Sequence, residues 1–273
     1  MTLEAGKEGA RAALEALPKE EAIHLGEGSI TAAPLRGGII SSLKLAGHEL
    51  LYMNRETYAD PAKNVRGGIP IMFPNAGAVD DPKFDLKQHG FARTSEWAYA
   101  ASADGRSFSE VLTAPAIPGY PHESTLTLEA ALLEDGTARI TQTALNRGGE
   151  PMPVAMGLHP YFAIPAGRKG EILFDFPGGE VIEAEASVWM EGGTTSIDNP
   201  GVPLQIRIPG AGVLTLTVSP EFKKVWVWSL PGEDFVCIEP VMRDVNGLST
   251  DPELVEPGAS VAGTLSIQFT PGG

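Results

Sequence analysis

The stretch "STLTLEAALL", residues 124–133, alternates Leu126, Leu128 and Ala130 with Thr125, Thr127 and Glu129. A period of two sends successive side chains to opposite faces, so the stretch reads as a β-strand with one apolar and one polar face. "GVLTLTVSP" (212–220) repeats the pattern, setting Leu214, Leu216 and Val218 against threonines. "KKVWVWSL" (223–230) puts Val225 and Val227 on one face and Trp226 and Trp228 on the other. Upstream, "ITAAPLRGGIISSLKLAGHELLYM" (30–53) is a series of short β-prone pieces cut by Gly-Gly and Ala-Gly turns. With 32 Gly and 23 Pro punctuating such segments, the pattern predicts an all-β protein, a large antiparallel β-sandwich. The one helical signal is near the start, where Leu3, Ala10, Leu14 and Leu17 share a face before Pro18. The expected organisation is therefore a helical extension over residues 1–20 and a single sandwich domain over 21–273.

Composition narrows the partners. A net charge of −15 sets up a field that repels nucleic acid and anionic membranes, so neither is an expected partner. No apolar run is long enough to span a bilayer, and the first residues carry no signal-peptide core. The lone Cys237 excludes an intrachain disulfide and fits a reducing compartment, so the expected location is cytoplasmic. A monomer or weak homodimer is expected.

The alternation fails over 54–88 and 163–200, and long irregular segments in a compact domain are commonly functional. The first leads into "LKQHGFART" (86–94) and His89. His159, in "VAMGLHPYFAIP" (154–165), ends an apolar stretch and needs partners for its ring nitrogens. Each could equally be a satisfied core histidine. His24, His48 and His122 lie in strand or turn contexts that ask only for a structural or exposed role. In "DFVCIEPVM" (234–242) Glu239 ends a run apolar enough for a buried strand. A buried carboxylate without a partner has its pKa pushed up, which suits a general base; the alternative is a salt bridge to an arginine such as Arg243. Two histidines and a glutamate could hold a metal, but no HExxH-type pair exists, and "DDPKFD" (80–85) lacks the glycine and glutamate of a calcium loop. No metal or cofactor is expected. Phosphate-loop, dinucleotide and nucleophile-elbow motifs are all missing.

Four motifs in order, "RGGIPIMFPNAG" (66–77), "HGFAR" (89–93), "GLHPYF" (157–162) and "CIEP" (237–240), resemble the aldose 1-epimerase (galactose mutarotase-like) family. The likeness runs from about residue 22 to the C-terminus and is strongest to the branch of bacterial and fungal hexose-6-phosphate mutarotases. It implies a galactose mutarotase-like supersandwich and a cofactor-free interconversion of the α and β anomers of an aldohexose. It implies Glu239 as the base at the C1 hydroxyl and His159 as the acid at the ring oxygen, on opposite sides of the hemiacetal. His89 would steady the ring-oxygen side. Arg66 and Arg93 would bind hydroxyls or a phosphate, and Asp198, in "TTSIDNPG" (194–201), would stand near the family's sugar-binding aspartate. After Pro74 the chain departs from the phosphosugar pattern, with "NAGAVDD" in place of aromatics; Asp80 and Asp81 beside the pocket would repel a phosphate. Alternatives are a hexose-6-phosphate mutarotase and a non-catalytic carbohydrate-binding relative.

Overall fold

The computed structural model describes residues 17–272. The helix expected over the first residues lies outside that range.

Among the described residues every ladder between strands is antiparallel, and the strands form three main sheets. The largest has eight strands, in spatial order Leu173–Asp175, Leu204–Ile208, Gly212–Val218, Ser260–Pro271, Ala138–Asn146, Ser124–Leu132, Ser107–Ala114 and Ala98–Ala101. Burial follows the sequence alternation: Leu126, Leu128 and Ala130 are buried, as are Leu214, Leu216 and Val218, while the intervening threonines are not. A four-stranded meander (Glu21–Leu25, Gly28–Ala33, Ile39–Leu45, His48–Glu49) forms the second sheet.

The third sheet carries the site. Its order is Thr195–Asp198, Lys224–Trp228, Phe235–Val241, Gly157–Leu158 and Ile71–Met72, with Tyr161–Ala163 also paired to Phe235–Val241. One apolar cluster joins all three sheets, including Ile30 and Leu43, Leu128 and Leu216, and Val225, Val227, Val236 and Ile238. Burial of that shared apolar surface is what holds the layers together. Gln142 adds a polar tie, its Nε2 donating to the Met72 carbonyl across the layers at 3.2 Å.

Phe235–Val241 is buried at every position. Its even-numbered residues meet the core, whereas Cys237 and Glu239 share the opposite face with their ladder partners Trp228 and Trp226. Tyr161 faces Cys237 from the other side. The valine/tryptophan alternation of Lys224–Trp228 is thus a division between core and pocket.

The two irregular segments contain only short elements. Arg55–Ala59 is helical, capped by the Asn54 side chain accepting from Thr57 N at 2.9 Å, and Gly179–Ala184 and Ala186–Trp189 are helical turns. Arg36 stitches the first loop together, its guanidinium donating to the carbonyls of Thr57, Tyr58, Asp60 and Lys63.

Candidate active site

The open face of the third sheet forms the floor of a cleft of about 510 Å³, a size suited to a small ligand. Arg66, His89, Arg93, His159 and Glu239 all line it, together with Tyr161, Trp226 and Trp228. Five of the six side chains singled out from sequence therefore meet in one place.

Glu239 is 3% exposed, and among the described residues its carboxylate accepts no hydrogen bond. Burial pushes its pKa up to about 8, with the Arg93 charge opposing the rise. Arg243 is not its partner: that guanidinium is engaged by Glu253 at 2.9 Å and Asp251 at 3.2 Å. Nδ1 of His159 lies 3.5 Å from Glu239 Oε1 and has no hydrogen-bond partner among the described residues. The two groups implied as acid and base thus stand side by side, 3.5 Å apart. The two oxygens of a hemiacetal share one carbon, so neighbouring groups can serve both.

His159 is fixed from several directions. Its backbone N–H donates to Pro70, and its ring stacks on Tyr161 at 4.6 Å between centroids, 10° from parallel. The edge of His89 approaches at 5.2 Å. Burial holds the imidazole well below its ordinary pKa, and the neighbouring His89 and Arg93 act in the same direction.

His89 is held by the motif upstream of it. Its Nδ1 donates to the Ala76 carbonyl, and Asn75 anchors that loop by donating from Nδ2 to Gly77 at 2.6 Å and Lys87 at 3.1 Å. Both His89 (φ 69°) and Gly90 (φ 66°) are left-handed. At Gly90 a Cβ would come 1.9 Å from the Phe73 carbonyl oxygen, so only glycine fits. Burial first, and then Arg93, lowers the His89 pKa to about 4, although the bond to Ala76 opposes the shift. The neutral ring with Nδ1 donating leaves Nε2 as an acceptor.

Arg93 donates to the Val65 carbonyl at 3.0 Å. The Arg66 guanidinium makes no hydrogen bond or ion pair among the described residues, while its backbone N–H is held by Thr57 Oγ1 at 3.0 Å. Asp198 is not brought to the cleft. Its carboxylate is 87% exposed and pairs with Lys224 at 2.8 Å, because register places the two directly opposite at the end of their ladder. Asp80 and Asp81 do not line the cleft either. Asp81 accepts from Ser249 Oγ at 2.6 Å, and the Asp80 backbone N–H donates to Asn246 Oδ1 at 2.9 Å.

The aromatic floor, Tyr161, Trp226 and Trp228, had no functional reading in sequence. The signal was available only as register, since Trp226 lies opposite Glu239.

A family model described as aldose 1-epimerase matches residues 22–198, well over half the chain. The chain belongs to the aldose 1-epimerase family. A Cenchrus ciliaris protein provisionally named glucose-6-phosphate 1-epimerase is 32% identical over 145 residues, which is 48% of this chain and 42% of that protein's length. Among solved structures, the Slr1438 protein of Synechocystis sp. PCC 6803 superposes with a TM-score of 0.83 at 23% identity, over 93% of this chain and 96% of that one. A galactose mutarotase related enzyme from Lactobacillus acidophilus gives 0.71 at 17% identity, over 92% and 97%. At these identities the structural matches establish the shared fold, which is the antiparallel sandwich of the family.

Proposed function

We propose that this aldose 1-epimerase family member is a mutarotase, interconverting the α and β anomers of an aldohexose by acid/base ring opening and reclosure. The observation that carries the reading is the buried Glu239 carboxyl, free of any arginine or lysine, 3.5 Å from the unpartnered Nδ1 of His159. Pure sugar binding has no use for an isolated buried acid/base pair, which costs stability unless it performs chemistry.

Burial favours the neutral form of each group, so at neutral pH the pair carries one proton, on Glu239. Transfer of that proton to His159 gives carboxylate and imidazolium with no change in total charge. Glu239 then takes the proton of the C1 hydroxyl as the bond between C1 and the ring oxygen breaks. His159 delivers its proton to the departing ring oxygen. The open aldehyde faces the original pair, a protonated Glu239 and a neutral His159. Rotation about C1–C2 and reversal of the two transfers close the ring as either anomer. Each positioned acid or base contributes on the order of 10²–10⁴ in rate. His89 cannot donate to the ring oxygen while neutral; through Nε2 it accepts from a sugar hydroxyl. The tryptophans offer apolar faces to the C–H side of the pyranose, and no cofactor takes part.

A second reading, a hexose 6-phosphate as substrate, is favoured by the uncommitted Arg66 guanidinium, with Arg93 on the same cleft. A planar fork suits phosphate, and Glu239 is the only acidic residue lining the cleft among the described residues. The relative's name points the same way. The rest of the reading is a single domain over residues 21–273 acting in the cytoplasm as a monomer or weak homodimer. No helix among the described residues is long and apolar enough to cross a membrane. Polarimetry on freshly dissolved α-glucose, α-galactose and glucose 6-phosphate tests activity and substrate together. Rotation decaying no faster than in buffer for all of them would refute the reading.

A further inference from the structure

One buried group next to the cleft-lining Glu239 and His159 has no part in the sugar chemistry. Cys237 precedes Glu239 by two positions on the strand Phe235–Val241, so both side chains leave the same face. The Cys237 sulfur, a ring nitrogen of His159 and a Glu239 carboxylate oxygen all lie within 4.8 Å of one another. All three residues are buried, and Nδ1 of His159, beside the carboxylate, has no hydrogen-bond partner. A lone cysteine beside an acid would mean little. An unpartnered buried imidazole directed at the same point makes a donor set.

We propose that Cys237, His159 and Glu239 form a binding site for Zn²⁺, and that zinc is an inhibitor of this protein. Sulfur, imidazole and carboxylate are the ligands zinc takes, whereas magnesium and calcium require mostly oxygen. Three protein ligands leave a fourth position for water on the cleft side. Bonds of about 2.0–2.3 Å draw the ligand atoms closer than they stand now, a side-chain adjustment of about an ångström. Binding releases the thiol proton and the carboxyl proton to solvent. Thiolate and carboxylate then balance the ion's two charges, which suits a buried position. The metal occupies the lone pairs that Glu239 and His159 would use to move protons. The inhibition rests on the mutarotase reading; the binding does not.

The chain has one cysteine, so a thiolate-to-metal absorbance band can come only from Cys237. The experiment titrates the protein with Co²⁺, whose thiolate complexes absorb in the near ultraviolet, and then adds Zn²⁺. The wild type develops the band and zinc abolishes it. Cys237→Ser and Cys237→Ala lose the band, keep metal-free anomer exchange and lose its inhibition by zinc. A wild type that binds cobalt without a thiolate band, or shows no cobalt-dependent spectrum, overturns the proposal. So does zinc inhibition that survives in both variants. If the wild type exchanges no anomers, the mutarotase reading falls, and the cobalt band still decides the metal site.

Discussion

Nδ1 of His159 stands 3.5 Å from Oε1 of Glu239, in a cleft that buries both residues and gives neither a strong countercharge. In the proposed mechanism the pair holds one proton at neutral pH. Burial pushes the Glu239 pKa up to about 8. Because the reactive and resting pairs contain the same number of protons, kcat/KM for anomer exchange is level just below pH 8. Above it the rate falls by about tenfold per pH unit, as the proton needed by the ring oxygen disappears. A rate that climbs through pH 8 contradicts this and makes the free carboxylate sufficient alone.

Glu110 offers a stability test away from the cleft. It is fully buried in the strand Ser107–Ala114, neither carboxyl oxygen has a hydrogen-bond partner, and burial pushes its pKa to about 8. Between the ordinary value of 4.5 and about 8 the unfolded chain has given up this proton and the folded chain keeps it. Stability therefore falls as pH rises, by up to about 1.4 kcal/mol per pH unit for each such group. Glu239 acts in the same direction. His89 and His159, with lowered pKa values, act oppositely but only below 6.5. The urea midpoint should drop between pH 6.5 and 8, and Glu110→Gln should make that drop shallower. An unchanged slope in the variant refutes the assignment.

Gly90→Ala tests how His89 is placed. The added methyl meets the Phe73 carbonyl and the residue must keep a positive φ, so stability should fall by at least about 1 kcal/mol. Exchange should fall with it in the fraction that remains folded, since the turn aims the imidazole. A variant with unchanged melting temperature and activity would show that the turn is not tightly specified.

The sandwich was legible because several strands bury one face and wet the other. Leu126, Leu128 and Ala130 could hardly be read otherwise. Phe235–Val241 was legible as a buried strand for the opposite reason, having no alternation in burial. Trp226 and Trp228 were legible as one face of their strand, but both faces carry apolar side chains, and composition does not say which apolar face is core and which lines a cleft. His89, His159 and Glu239 stood out because polar groups in apolar or glycine-rich surroundings need an explanation. Asp198 misled because sequence neighbourhood does not give register; paired opposite Lys224, it points into solvent. Asp80 and Asp81 misled likewise, as their hydrogen bonds to the Ser249 and Asn246 side chains depend on a distant part of the chain.

Arg66→Ala separates the two substrate readings. If its guanidinium holds a phosphate, KM for glucose 6-phosphate should rise by tenfold or more, about 1.4 kcal/mol, while KM for glucose changes little. Steady-state rates on both sugars supply the comparison. Equal changes on the two would assign Arg66 to hydroxyl binding.

In the proposed mechanism Glu239 moves the proton of the C1 hydroxyl. Glu239→Gln preserves size and removes only the basic carboxyl. Magnetisation transfer between the two anomeric protons measures exchange at equilibrium with no coupling enzyme. Exchange should be faster than buffer in the wild type and fall by roughly 10²–10⁴ in the variant, with sugar affinity little changed. Exchange in Glu239→Gln within a few-fold of wild type, or a wild type no faster than buffer while still binding sugar, would contradict it.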